Sequence, residues 1–344
     1  VNDLLTCTVN DQEDEVKVFK SLLINKTDER YSTQLTEIAE SELPQGDVEV
    51  NVDYSSINYK DALAITGRGP IVRHFPMVPG IDFAGTVSAS SHPDYQTGDK
   101  VLLTGWGVGE KHWGGLSEKA RVKGDWLTPL PAGTNSKHVM AIGTAGFTAM
   151  LCVDALLNHG VKPEYGPVLV TGASGGVGSI AAMILASMGY HVTASTGRPD
   201  EASWLYKTIG VNEIINRSEI SSPGKPLQKE RWAAAIDTVG SHTLCNACAG
   251  VRYGGIVAAC GMAQGMDLMG SVAPFILRGV TLKGIDSVMF AKEKRAAIWQ
   301  QAVQYLPESS LDSLTTIYPL SEAINVAEKL LGGGIRGRAV IQCS

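Results

Sequence analysis

Apolar and polar residues alternate through VEVNVDYSSI, and this period of two predicts a half-buried strand over 47–57. Shorter runs of the same kind at 84–89 and 100–103 lie between Pro, Gly and Asp turns. They predict a small, mainly antiparallel, barrel-like β domain. The pattern changes after Pro131. Residues 137–157 (KHVMAIGTAGFTAMLCVDALL) predict a helix, and PVLVTGASGGVGSIAAMILASMGYHVTAST then predicts buried strand, glycine turn, helix and second strand. Short β-branched or apolar runs at 213–215, 234–237, 256–259 and 281–285 repeat the theme. A doubly wound, Rossmann-type parallel sheet follows over 143–285. Helices are predicted at 292–306 and 321–331, before a strand-like RAVIQC. That strand has no clear place in the parallel sheet. The expectation is therefore an α/β chain: a β domain over 1–142, a Rossmann domain over 143–285, and a segment over 286–344 that returns to the first domain.

Composition narrows the class. A chain of 344 residues, 44% hydrophobic and 19% charged, can bury the cores of about two domains. A formal net charge of −6 with no local basic patch argues against nucleic acid or an anionic membrane as partner. No apolar run reads as long enough to span a bilayer, and the first residues lack a secretory pattern, so a cytoplasmic location is expected. Six cysteines are too sparse for a disulfide scaffold. Cys245 and Cys248 form a CxxC with no second Cys or His cluster beside it, which points to packing rather than zinc.

The most specific short motif is TGASGGVG at 171–178. Glycines at such a strand-to-helix turn let the backbone approach a pyrophosphate, whose charge meets the amino end of the helix. Ala173 fills the first position of GxGxxG, with Gly175 and Gly178 in the other two. The same letters satisfy the TGxxxGxG turn of short-chain dehydrogenases, which needs a downstream YxxxK. None of the ten tyrosines is followed by lysine at that spacing. The second strand ends in Ser195, Thr196, Gly197 and Arg198 where NAD-binding units usually carry an acidic residue. Hydroxyls and a guanidinium suit the 2′-phosphate of NADPH. Asp200 and Glu201 nearby leave NAD as the alternative.

Longer strings carry a family resemblance: SSINYKDALAITGRGP, FPMVPGIDFAGTV, TGWGVGEKHWGGLSEKARVKGDWL, IGTAGFTAMLCV, VTGASGGVGS, YGGIVAACG and PFILRGVTLKGIDSV. From about Phe19 to the C-terminus the chain resembles the zinc-free quinone oxidoreductase branch of the medium-chain dehydrogenase superfamily. Within that branch it resembles the acrylyl-CoA reductases. Residues 1–18 fall outside the match and read as an acidic extension. The resemblance implies a GroES-like substrate domain beside the Rossmann domain. Zinc enzymes of the superfamily carry cysteine and histidine where this chain has Asn58 and Ile81, so no metal is expected.

What the resemblance implies for chemistry is NADPH-dependent reduction of the carbon–carbon double bond of a short enoyl thioester, acrylyl-CoA to propionyl-CoA. The expected catalytic set is Asn58, Tyr59, Asp61, Asp82 and Arg338. Tyr59 would donate a proton or bind the nicotinamide ribose, and Asn58 would orient the carbonyl. Blander roles stand beside these: Asp61 as a helix cap, Asp82 as a loop brace, Tyr59 as a core aromatic, Arg338 as a surface charge. The cofactor set carried over is Tyr59 and Arg338 with Ser174, Gly175, Gly176 and Val177 at the pyrophosphate. Thr196, Gly197, Arg198 and Arg217 join it at the adenosine phosphate, and Met262, Ile276 and Ser287 near the nicotinamide half. Arg68, Arg73, His74, Lys111 and His112 are candidates for the CoA phosphates. Quinone reduction and non-catalytic NADPH binding are the alternatives, and a homodimer joined through Rossmann strands is the expected assembly.

Overall fold

The structure, a computed structural model, describes residues 16–28 and 30–344, so most of the expected N-terminal extension lies outside the described residues. The described chain opens with an antiparallel hairpin, β1 (Val18–Lys26) and β2 (Tyr31–Ala39), which the hydrophobic pattern did not predict. The alternating segment forms β3 (Val48–Ile57), followed by β4 (Asp82–Ser90), β5 (Lys100–Thr104), β6 (Lys119–Val122) and β7 (Thr128–Pro129). These pair antiparallel, and β3 lies at the centre between β4 and the C-terminal strands. Val48, Val50 and Val52 of β3 point into one core with Phe83, Leu103 and Leu116, as a period of two requires.

The second sheet holds six parallel strands: β8 (Val168–Thr171), β9 (Val192–Thr196), β10 (Glu213–Asn216), β11 (Trp232–Asp237), β12 (Val251–Ala259) and β13 (Thr281–Gly284). Their order is β10-β9-β8-β11-β12-β13, the doubly wound order in which the chain reverses direction at β8. Helices cover both faces, so β8 and β11 are buried at every position and read as apolar runs rather than alternations. Two further strands, β14 (Thr315–Pro319) and β15 (Arg338–Gln342), return to the first sheet, where β15 pairs antiparallel with β3. Between them and β13 the helix Lys292–Tyr305 sends Ile298 and Trp299 into the Rossmann-side core.

The helix Ser136–Asn158 joins the two domains, and it corrects one expectation. By length and composition it is apolar enough to cross a membrane, yet 94% of its most apolar window is buried inside the protein. It is also not continuous. Gly143 has φ 54° and ψ −163°, and a Cβ there would stand 2.4 Å from Nη2 of Arg338 and 3.0 Å from Oγ of Ser56. Glycine is required where the helix breaks over these side chains.

Candidate active site

Below the kink lies a closed polar network. Strand β3 ends at Ile57, and Asn58 starts the helix Tyr59–Thr66. Asp82, the first residue of β4, accepts from the Ser56 backbone N–H at 3.0 Å, from Asn58 Nδ2 at 2.9 Å and from the Thr144 N–H at 2.9 Å. The Ser56 hydroxyl donates to both Asp82 oxygens at 2.7 and 2.8 Å. Arg338, the first residue of β15, donates to Ala141 O, Asn58 Oδ1 and Ser56 Oγ at 3.0, 3.2 and 2.8 Å. Asp61 accepts from the Asn58 and Ile81 N–H groups, both at 2.9 Å.

Sequence and structure agree that Asn58, Asp61, Asp82 and Arg338 meet, but the network corrects the roles expected for them. All four are buried, and both ends of the Asn58 amide are held by protein groups, so Asn58 has no free dipole to orient a substrate carbonyl. Asp61 is a cap and Asp82 a brace. Arg338 is no surface charge: it is 2% exposed and reaches under the glycine turn, where a Cβ on Gly176 would stand 3.3 Å from Nη1. Tyr59 stands apart from the four, at 48% exposure. Burial pushes the Asp61 carboxyl up to about 7, helped by the nearby charge of Asp82 and opposed by the N–H groups it accepts. The Arg338 guanidinium is lowered by burial against the pull of Asp82 and Asp61.

The glycine turn leaves β8 and enters the helix Gly176–Ser187. A Cβ on Gly178 would stand 2.3 Å from Gly172 O, which explains the close packing of helix on strand. Ser174 is tied to the end of β9 by a 2.9 Å bond between its hydroxyl and that of Thr196. Thr196 in turn accepts from the Arg198 N–H at 3.1 Å. Arg217 lies across Gly197, where a Cβ would stand 2.5 Å from its Nε. Two guanidinium-bearing residues and a hydroxyl thus gather one strand away from the helix amino end. Arg198 pairs with Glu201 at 3.2 Å and donates to Ile335 O at 3.0 Å, so Glu201, one of the two acidic residues of the NAD alternative, is already engaged. This cradle fits an NADP-type dinucleotide.

At the carboxyl ends of β11, β12 and β13 opens a groove of about 520 Å³, lined by Gly240, Met262, Met266 and Asp286 among others. Met262 therefore lines this groove; Ser287 does not line it but follows the lining residue Asp286 in the chain, its hydroxyl accepting from Thr148 Oγ1 at 2.9 Å. Ile276 is not brought in with them: it is 73% exposed on the helix Ala273–Arg278 and does not line the groove. Among the CoA-phosphate candidates, Arg68 pairs with Glu328 at 2.6 Å and His112 bonds Arg121 O at 2.8 Å. Arg73, His74 and Lys111 are exposed. Among the described residues no cluster of three or more His, Cys, Asp or Glu side chains is placed to hold a metal. The engaged amide of Asn58 and the alkyl chain of Ile81 offer zinc no thiolate or imidazole.

Known proteins are similar to this chain in sequence and fold. The family model "Alcohol dehydrogenase GroES-like domain" matches residues 44–132, and "Zinc-binding dehydrogenase" matches 176–305. The "Probable acrylyl-CoA reductase AcuI" of Escherichia coli (strain K12) is 52% identical over 323 residues, covering 94% of this chain and 99% of that protein. The chain belongs to the medium-chain dehydrogenase/reductase superfamily. Within the superfamily, acrylyl-CoA reductase AcuI of Ruegeria pomeroyi is 48% identical over 327 residues, with 94% of this chain and 99% of that protein covered. The crystal structure of E. coli K-12 YhdH with bound NADPH superposes with a TM-score of 0.92 at 52% identity, covering 94% of this chain and 100% of that one. Sequence reasoning missed Ser56 and Thr144, which complete the buried polar network. Small hydroxyl residues carry no pattern that marks them as partners of a carboxylate 26 or 62 positions away.

Proposed function

We propose that the protein is an NADPH-dependent acrylyl-CoA reductase that converts acrylyl-CoA, NADPH and a proton to propionyl-CoA and NADP⁺. The observation that carries this reading is the likeness to acrylyl-CoA reductases along nearly their whole length. Ser174, Gly175, Gly176 and Val177 hold the pyrophosphate, Thr196, Gly197, Arg198 and Arg217 the adenosine phosphate, and Met262 and Ser287 border the nicotinamide half. NADPH, when bound, supplies a hydride to the β-carbon of the substrate. Negative charge then gathers on the thioester oxygen and α-carbon and has to be neutralised. Tyr59 is the one member of the expected catalytic set with a half-exposed side chain, and its phenol supplies the hydrogen bond or proton. The network of Asn58, Asp61, Asp82 and Arg338 fixes the helix start that carries Tyr59. Arg73 and Lys111, exposed cations, and the exposed side chain of His74 are available to the CoA phosphates.

The assembly we propose is a homodimer through the open edge at β13. That edge strand is largely exposed, and Met266, Met269, Val272, Ile276 and Leu277 beside it are exposed apolar side chains. Ile276 belongs to this surface.

The test is turnover of NADPH by the purified protein with acrylyl-CoA and with a quinone panel, with propionyl-CoA identified by mass. Turnover is expected with acrylyl-CoA, and Tyr59→Phe is expected to lower kcat by about a hundredfold, the usual scale of general acid catalysis, with NADPH affinity nearly unchanged. Faster turnover with quinones than with acrylyl-CoA would replace the proposal with quinone reduction. Binding of NADPH without turnover of either would leave a cofactor-binding protein.

A further inference from the structure

Arg295, on the helix Lys292–Tyr305, is 2% exposed and has no carboxylate within ion-pair distance among the described residues. A buried cation without a counter-ion is costly and persists only where its donors are fully used. Here they are. Nε donates to Phe290 O at 3.1 Å, Nη1 to Thr104 O and Oγ1 at 2.9 and 3.1 Å, and Nη2 to Ser287 O and Val288 O at 3.0 and 2.9 Å. The guanidinium also lies 4.7 Å from the Trp106 ring centre and 5.2 Å from that of Phe147. Burial lowers its pKa to about 10, which leaves it charged at neutral pH.

These acceptors come from two separate places. Thr104 ends β5 in the GroES-like domain, whereas Ser287, Val288 and Phe290 follow β13 of the Rossmann sheet. The same two segments touch again beside the guanidinium: Trp106 N–H donates to Val288 O at 3.0 Å. Gly105, at φ 82°, brings its backbone so close that a Cβ would stand 2.7 Å from that oxygen. The Ser287 hydroxyl, meanwhile, is held by Thr148. One planar cation therefore sets the position of the Ser287 segment against both domains.

We propose that Arg295 is a positioning residue for the nicotinamide half of the cofactor, acting by clamping the Ser287–Val288 backbone to the Thr104 corner of the substrate domain. This rests on the NADPH reading of the cleft. The clamp requires a flat, five-donor group, and a lysine ammonium cannot span carbonyls on opposite sides. It acts at one end of the cleft and leaves Arg198 and Arg217 untouched.

The experiment compares two ligands on the full-length chain by calorimetry: NADPH, and 2′-phospho-ADP-ribose, which lacks the nicotinamide. In Arg295→Lys the Kd for NADPH is expected to rise about tenfold, the scale set by a misplaced contact, while that for 2′-phospho-ADP-ribose stays within about twofold of wild type. Equal weakening of both ligands, or of neither, would overturn the proposal. If Arg295→Lys does not fold, Thr104→Val, which removes one acceptor and keeps the carbonyl, is expected to weaken NADPH about threefold with the same selectivity. No selectivity in that variant would overturn the proposal equally. Wild-type protein that binds neither ligand would overturn the NADPH reading itself, and the proposal with it.

Discussion

Asp61 is fully enclosed, and its carboxyl titrates near 7 rather than at the ordinary value of 3.8 because burial penalises its charge more than the Asn58 and Ile81 N–H groups favour it. A carboxyl that holds its proton longer in the folded state adds stability below the unfolded pKa and loses it as pH rises through the folded one. This single group is expected to withdraw about 3 kcal/mol of stability between pH 4 and pH 7. Urea unfolding of wild type and Asp61→Asn across that range checks it: the difference between the two curves should change with pH, and parallel curves would refute the assignment. Asp61, Asp82, Asn58 and Arg338 were each named from the sequence through the family resemblance, not through any local pattern of their own. What they bond was not. Their partners include backbone N–H groups and the hydroxyl of Ser56, which no side-chain pattern announces. Arg295 left no signal either, because its acceptors are mostly carbonyl oxygens that every residue possesses.

Among the elements, the strand-turn-helix from β8 into Gly176–Ser187 was the most readable, because its glycines, its apolar strand and its apolar helix all point to one geometry. The break at Gly143 was not readable. Helical periodicity runs straight through KHVMAIGTAGFTAML, and only the packing of Arg338 and Ser56 against that glycine shows why the helix must open there. The hairpin β1–β2 escaped notice for a related reason: Leu22 and Leu23 are both apolar, which interrupts the alternation a half-buried strand displays. Where β9 ends, Arg198 and Arg217 are the residues proposed to meet the 2′-phosphate. Replacing both with alanine is expected to weaken NADPH binding roughly ten- to a hundredfold, in keeping with the loss of charge-assisted hydrogen bonds. NADH binding should be nearly unchanged, and calorimetry with the two cofactors measures the difference. Equal losses for both would mean that the pair serves the fold of the strand end and not the phosphate.

Across the described residues, one long helix and Arg295 between the loops join the six-stranded sheet to the seven-stranded one, and β15 on β3 returns the end of the chain to the latter. The terminal strand was expected to leave the parallel sheet because it had no clear place there, and β15 does pair with β3. The exposed methionines and β13 make a prediction at this scale. Sedimentation should give wild type twice the 36.5 kDa of the chain, and Ile276→Glu, which places a charge in the apolar surface, a single chain mass. The same mass for both would remove that surface from the assembly.

The central claim concerns which atoms receive hydrogen. The most direct measurement uses NADPH carrying deuterium at both nicotinamide C4 positions, with acrylyl-CoA in ordinary water, and locates the label in the product by NMR and mass spectrometry. The account predicts propionyl-CoA with one deuterium on the β-carbon and none on the α-carbon; the reversed labelling, or oxidation of NADPH without propionyl-CoA, would contradict it.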